Sequence, residues 1–512
     1  MSLAQRFADL KSRADGWLNP VMVKELRQAV RGRFIVTVLS LSLLAQVVAV
    51  AGFMISGAID NRNAALDPIG SVTFTTLFFV LFTATVFFVP LYSGIRMAIE
   101  RSDTNVDLLF VTTIRPRTVI LGKLMTTIAL TALIFFASLP FLVFSYVLRG
   151  IDVLTIVFVL FIAFFAVCSA AVVALFLGCI PATKPFRFVL GLVFFGVSAM
   201  AYAGMAAMIT SFIRSSTAMM FVTSDFWTAV ISAIMVVAAI DAVLLVTTTV
   251  IITPPAANRA LPIRLMMAIV WLVSFAIAAR LTFRFRDASP ILMWAMVQLL
   301  FITLVMCSAV GERERWGPRV ARTIPENPLK RFVAFLFFSG AGGGTLWALL
   351  FYSLTIGAYE LVLKTRPPSL ISTERVISAQ VLAEAAMCFV AYLLTAQLVR
   401  RKYLSQRVPA RATWAIGLVV FLIVAVIPPL VLLSAYSGTP QLRAQYEAVT
   451  MLNPFPNFDG QTHFARLPVL MIWTLLVVTA NAAWIAAQWR AFRRFNTADD
   501  DGELALQEGS AA

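Results

Sequence analysis

The 512-residue chain is 60% apolar and only 13% charged, with a mean hydropathy of +0.90. That balance excludes a soluble globular protein. Its net charge of +16 rests on 41 Lys and Arg, and its single histidine excludes multi-histidine metal sites.

A membrane-spanning helix needs roughly 20 mostly apolar residues, because the hydrocarbon core is about 30 Å thick. Twelve runs meet that need: about 34–57, 70–98, 119–148, 151–180, 186–212, 227–252, 264–281, 288–311, 331–361, 376–399, 411–436 and 467–489. They predict an all-α, polytopic transmembrane bundle, since backbone in lipid must satisfy its own hydrogen bonds and these runs exceed the length of barrel strands.

Residues 1–33 are polar and basic and read as a cytoplasmic N-terminus without a removable signal peptide. Within them Val23, Leu26 and Val30 recur at helical spacing, with Lys24, Arg27, Gln28 and Arg31 opposite and Glu25 between. Asn19 is placed to cap and Pro20 to begin a helix lying in the inner interface. The plain alternative is a basic flank that only orients the first span.

The first six spans occupy 34–252. Between the second and third lies the charged loop 99–123, which includes Glu100, Arg101 and Asp103. Thr104-Asn105-Val106-Asp107 has the form of a capping box, with Asp in place of Glu. Leu108, Leu109, Phe110 and Val111 follow, then Thr112-Thr113, and Pro116 reads as the stop before a span beginning at Val119. So short a helix with apolar residues on several sides suits either a partner's groove or the headgroup region.

A link at 253–263, opened by Thr253-Pro254-Pro255, leads to six further spans over 264–489. A charged inner loop follows the second span of each half, which alone carries the case for an internal duplication. Gly340-Ala341-Gly342-Gly343-Gly344 falls inside the span 331–361, where small residues allow close helix packing or a kink. The connection 437–466 holds the lone His463 and reads as an outer cap, and the tail 490–512 turns acidic and reads as disordered and cytoplasmic.

With a cytoplasmic N-terminus, 30 of the 41 Lys and Arg fall on the inner side. The basic charge therefore reads as topology and contact with anionic lipid in a cell (inner) membrane, not as nucleic-acid binding. Only Arg280, Arg284 and Arg286 run against the trend. Asp241 and Glu384 fall within spans, which suits an ion-coupled route or a helix-packing role. Cys168, Cys179, Cys307 and Cys388 lie in apolar runs without metal-type spacing. Gly122-Lys123 lacks the preceding glycine and following Ser or Thr of a phosphate loop, so nothing supports nucleotide hydrolysis by this chain.

Glu100-Arg101, Thr104, Asp107-Leu108-Leu109, Thr112-Thr113 and Ile120-Leu121-Gly122-Lys123 resemble the inner loop of type-2 ABC (ATP-binding cassette) exporter permeases. Asn19-Pro20 with Lys24-Glu25-Leu26-Arg27-Gln28 resembles that family's connecting helix, so the likeness spans roughly residues 15–250. The chain departs from the pattern at Asp103, where the family has glycine, at Ile114, where it has proline, and in its second six spans. The resemblance implies a non-catalytic permease subunit without a cofactor of its own. Its 102–114 helix would couple to a separate ATPase that carries ATP and Mg, with Glu100, Arg101, Asp103, Thr104, Asp107, Leu108, Leu109, Phe110 and Thr113 as the contact. It leaves open a homodimer or a pseudo-dimeric single chain. Rival readings are an ion-coupled transporter using Asp241 or Glu384, and a non-transporting scaffold on a permease-like fold.

Overall fold

The structure is a computed structural model that describes residues 19–59, 69–101, 116–148, 151–181, 183–214, 221–254, 257–312, 316, 320, 322–365, 373–428, 430 and 463–494. No strand occurs among them, and eleven of their helices are long and apolar enough to cross a membrane. The protein is thus an all-α, multi-pass membrane bundle. The chain divides into two compact units, Met1–Pro254 and Pro255–Ala512.

Unit 1 begins with a short helix α1 (Pro20–Arg31), followed by α2 (Arg33–Ile59). The next span combines α3 (Ile69–Thr83), a widened π turn (Ala84–Phe88) and α4 (Val89–Glu100). Pro90 accounts for that turn, because it lacks an N–H and its ring crowds the carbonyl four residues back. Then come α5 (Pro116–Val147), α6 (Val153–Cys179), α7 (Lys184–Arg214) and α8 (Ser224–Ile251). Pro116 opens α5, three residues before the anticipated start at Val119, and the turn expected ahead of it lies outside the described residues. Its missing N–H costs nothing at a first-turn position, where that donor would have no helical partner.

The core of unit 1 is built from α3, α5 and α6, with Phe74, Phe78 and Phe82 buried against Leu130, Ile134 and Val167. α4 lies along α6 because both lack side chains where they meet. A Cβ on Gly178 would stand 2.4 Å from the Gly94 carbonyl oxygen, and one on Gly94 would stand 2.8 Å from that of Ala174. Small residues at such crossings let backbones approach closely.

Unit 2 contains α9 (Ala260–Phe285), α10 (Ser289–Val310), α11 (Pro328–Phe337), α12 (Ala341–Lys364), α13 (Thr373–Val399), α14 (Thr413–Phe421) and α15 (His463–Arg494). The run 331–361 is not one span. It divides into the short α11, a break at 338–340 and the spanning α12. The break is fixed by Arg264, whose side chain is 1% exposed. Its Nη2 meets both Glu312 carboxylate oxygens at 2.8 Å, and its Nη1 donates to the carbonyls of Leu336 and Phe338. The glycine run makes room for this. Gly340 has a φ of +156° against the Trp316 ring, and a Cβ on Gly344 would lie 2.3 Å from Arg264 Nη2. The anticipated run 411–436 is described as apolar helix over Thr413–Val426 and falls outside the described residues beyond 430.

Candidate functional site

Helix α1 starts as its sequence suggests, since Asn19 Oδ1 accepts a hydrogen bond from the Val21 amide at 3.0 Å and Pro20 occupies the first turn. The same Asn19 donates through Nδ2 to the Thr118 carbonyl at 2.7 Å, which ties α1 to the first turn of α5. Gly122 lets the two helices touch, because a Cβ there would stand 2.9 Å from Val21 Cβ.

The buried face of α1 differs from the apolar stripe read from sequence. Glu25 and Ala29 are buried, whereas Val30 is 50% exposed and Lys24 and Arg27 face outward. A carboxylate is tolerated inside because Lys123 of α5 reaches it: Nζ lies 2.9 Å from Glu25 Oε1 and 2.8 Å from Glu100 Oε2. Arg96 of α4 stands behind, 3.9 Å from Glu25 Oε2, and also donates to Gln28 Oε1. Burial alone would raise the Glu25 carboxyl, but the Lys123 hydrogen bond and charge, with Arg96, outweigh it and hold it below its ordinary value. Beneath the node lies an apolar layer of Met97, Ile120, Leu124, Leu175 and Cys179.

Three elements are therefore fastened at one point: α1, the end of α4 and the start of α5. Arg101 follows Glu100 as the C-cap of α4, its amide donating to the Met97 carbonyl at 3.2 Å. These are the two stems of the segment containing Asp103, Thr104, Asp107, Leu108, Leu109, Phe110 and Thr113, which lies outside the described residues. Comparison with protein-family models, curated proteins and solved structures gives no match.

The two acids within spans occupy different surroundings. Asp241 of α8 accepts a hydrogen bond from the Ser169 hydroxyl of α6 at 2.6 Å. Glu384 of α13 is 1% exposed and lies 3.8 Å from Arg466 Nη1 of α15, while Gln380 Nε2 donates to its other oxygen at 2.9 Å. Sequence reading left Arg466 in the outer connection, because α15 begins at His463 rather than at 467. It also left Lys123, Arg96 and Arg264 out of the candidate residues. Gly122 was a local signal for the close contact at this node, since a small residue lets two helices approach.

Among the described residues no group of three or more His, Cys, Asp and Glu is arranged to hold a metal. The four cysteines are free thiols.

Proposed function

We propose that the chain is the membrane-spanning permease subunit of an ATP-driven ABC transporter of exporter type. It takes its energy from a separate ATPase through the 102–114 segment. The observation that carries the reading is the node at the stems of that segment. Lys123 joins Glu100, where α4 ends, to Glu25 of the short amphipathic helix. A push on the segment would otherwise be absorbed by bending at its stems, whereas buried, hydrogen-bonded charge pairs with an apolar layer beneath resist relative sliding. The motif residues of the resemblance, Glu100 and Gly122-Lys123, are those that build the node.

Glu384 lends less support to the ion-coupled rival, because its carboxylate faces Arg466 and Gln380. The test is affinity purification of the full chain from its native membrane. An ATPase should come with it, and Asp107→Arg with Leu109→Glu should release that ATPase while the chain stays inserted. Retention of the ATPase by this variant would refute the coupling assignment. Failure of any ATPase to copurify with the unaltered chain would refute the permease reading.

A further inference from the structure

Helices α6, α7 and α8 line a half-open cavity of about 370 Å³ in unit 1, within the size range of small-molecule pockets. Its walls are apolar, formed by residues such as Phe158, Ile162, Ala201, Met208 and Val237, with two exceptions, Ser169 and Ser198. The Ser198 hydroxyl is fully buried and has no hydrogen-bond partner. A buried hydroxyl left unpaired costs on the order of 1–3 kcal/mol, so a partner from a bound molecule would relieve it.

Ser169 already spends its proton on Asp241, 2.6 Å away. Asp241 is not itself part of the lining, but it stands one helical turn after the lining residue Val237 and holds the hydroxyl of the lining residue Ser169, which sets it at the cavity's edge. Among the described residues no cation lies within ion-pair distance of Asp241, in contrast to Glu25, Glu312 and Glu384, each of which has a Lys or Arg. A carboxylate in a span without a counter-ion is costly and faces a polar path or a ligand.

We infer that this cavity is an intramembrane binding site for a lipophilic amine. The apolar body would lie along α7 and α8, and the ammonium group would meet Asp241 and the Ser169–Ser198 hydroxyls. A purely apolar occupant would leave the carboxylate without a cation and the Ser198 hydroxyl without a partner, and a fatty acid would set like charges together. The site stands apart from the proposed ATP coupling, because binding is read without transport.

The experiment uses the full chain in nanodiscs and three diazirine-bearing probes of equal chain length: dodecylamine, dodecanol and dodecanoate. The amine should crosslink to peptides of α6, α7 and α8 about tenfold more than the acid. Asp241→Asn should lower amine labelling about tenfold and leave alcohol labelling unchanged, while Asp241→Glu should retain amine labelling. Ala201→Trp, which fills the cavity, should lower labelling by both. Equal labelling by amine and acid, or amine labelling indifferent to Asp241→Asn, would overturn the cation site. Labelling that survives Ala201→Trp would move the site elsewhere. Unaltered thermal unfolding of each variant excludes simple misfolding.

Discussion

Lys123 and Glu25 are 98 residues apart in sequence and joined by a 2.9 Å hydrogen bond between side chains that are 3% and 7% exposed. The contact makes α1 part of the transmembrane body. Removing the lysine would leave Glu25 with only the more distant Arg96 and Glu100 without its lysine, and breaking a buried pair from one side costs roughly 3–5 kcal/mol. Lys123→Met should therefore lower the thermal stability of unit 1 in detergent by about that much. Adding Glu25→Gln should recover a large part, so that the double variant is less damaged than the sum of the singles. Strict additivity would mean that the pair is not coupled.

The same node sets a dependence on pH. The Glu25 carboxyl is held below its ordinary value in the folded protein. A lowered carboxylate contributes stability that is fully present above the unfolded value and is lost as pH falls through the folded one. The stability difference between the unaltered protein and Glu25→Gln should thus be constant from roughly pH 8 to pH 5 and shrink only in stronger acid. Unfolding midpoints of the two proteins across that range check it. A difference that changed around neutrality would assign the titration to another group.

The all-α membrane architecture was legible because long apolar runs have few alternatives in lipid. The start of α1 was legible too, since Asn19 and Pro20 act within a few residues of one another. The buried face of α1 was not. Periodicity favours Val23, Leu26 and Val30, and nothing near Glu25 announces a lysine 98 residues away. The break between α11 and α12 was hidden for the same reason. Its glycines were plain, but the Arg264–Glu312 pair that folds the chain there comes from α9 and from the bend that follows α10.

Gly122 offers a steric test of the α1–α5 contact. A Cβ there would press on Val21 and Asn19, at 2.9 and 3.0 Å, whereas nothing lies within 4 Å of a Cβ on Gly191 or Gly196. Gly122→Val should cost about 1–3 kcal/mol through overpacking and detach α1, raising protease access near Arg27 and Arg31. Gly191→Ala and Gly196→Ala should be neutral or slightly stabilising, since alanine is the better helix former. Equal effects at all three glycines would show that Gly122 is not chosen for close approach.

In unit 2 the Glu384–Arg466 pair separates a structural charge from a transport charge. The carboxylate is 1% exposed and 3.8 Å from the guanidinium, with Gln380 on its other oxygen. If the pair fastens α13 to α15, Arg466→Met alone removes the guanidinium beside a buried carboxylate and should cost roughly 3–5 kcal/mol. Glu384→Gln combined with Arg466→Met should then regain most of that loss, because a neutral amide and a thioether leave no stranded charge. The double variant should also respond to an imposed proton or sodium gradient as the unaltered protein does. An ion-coupling carboxylate behaves otherwise: its amide substitute loses the response to the gradient, whatever stands at 466. Measuring unfolding and gradient response on the same variants decides between the two roles, because restored stability with lost response can arise only from coupling.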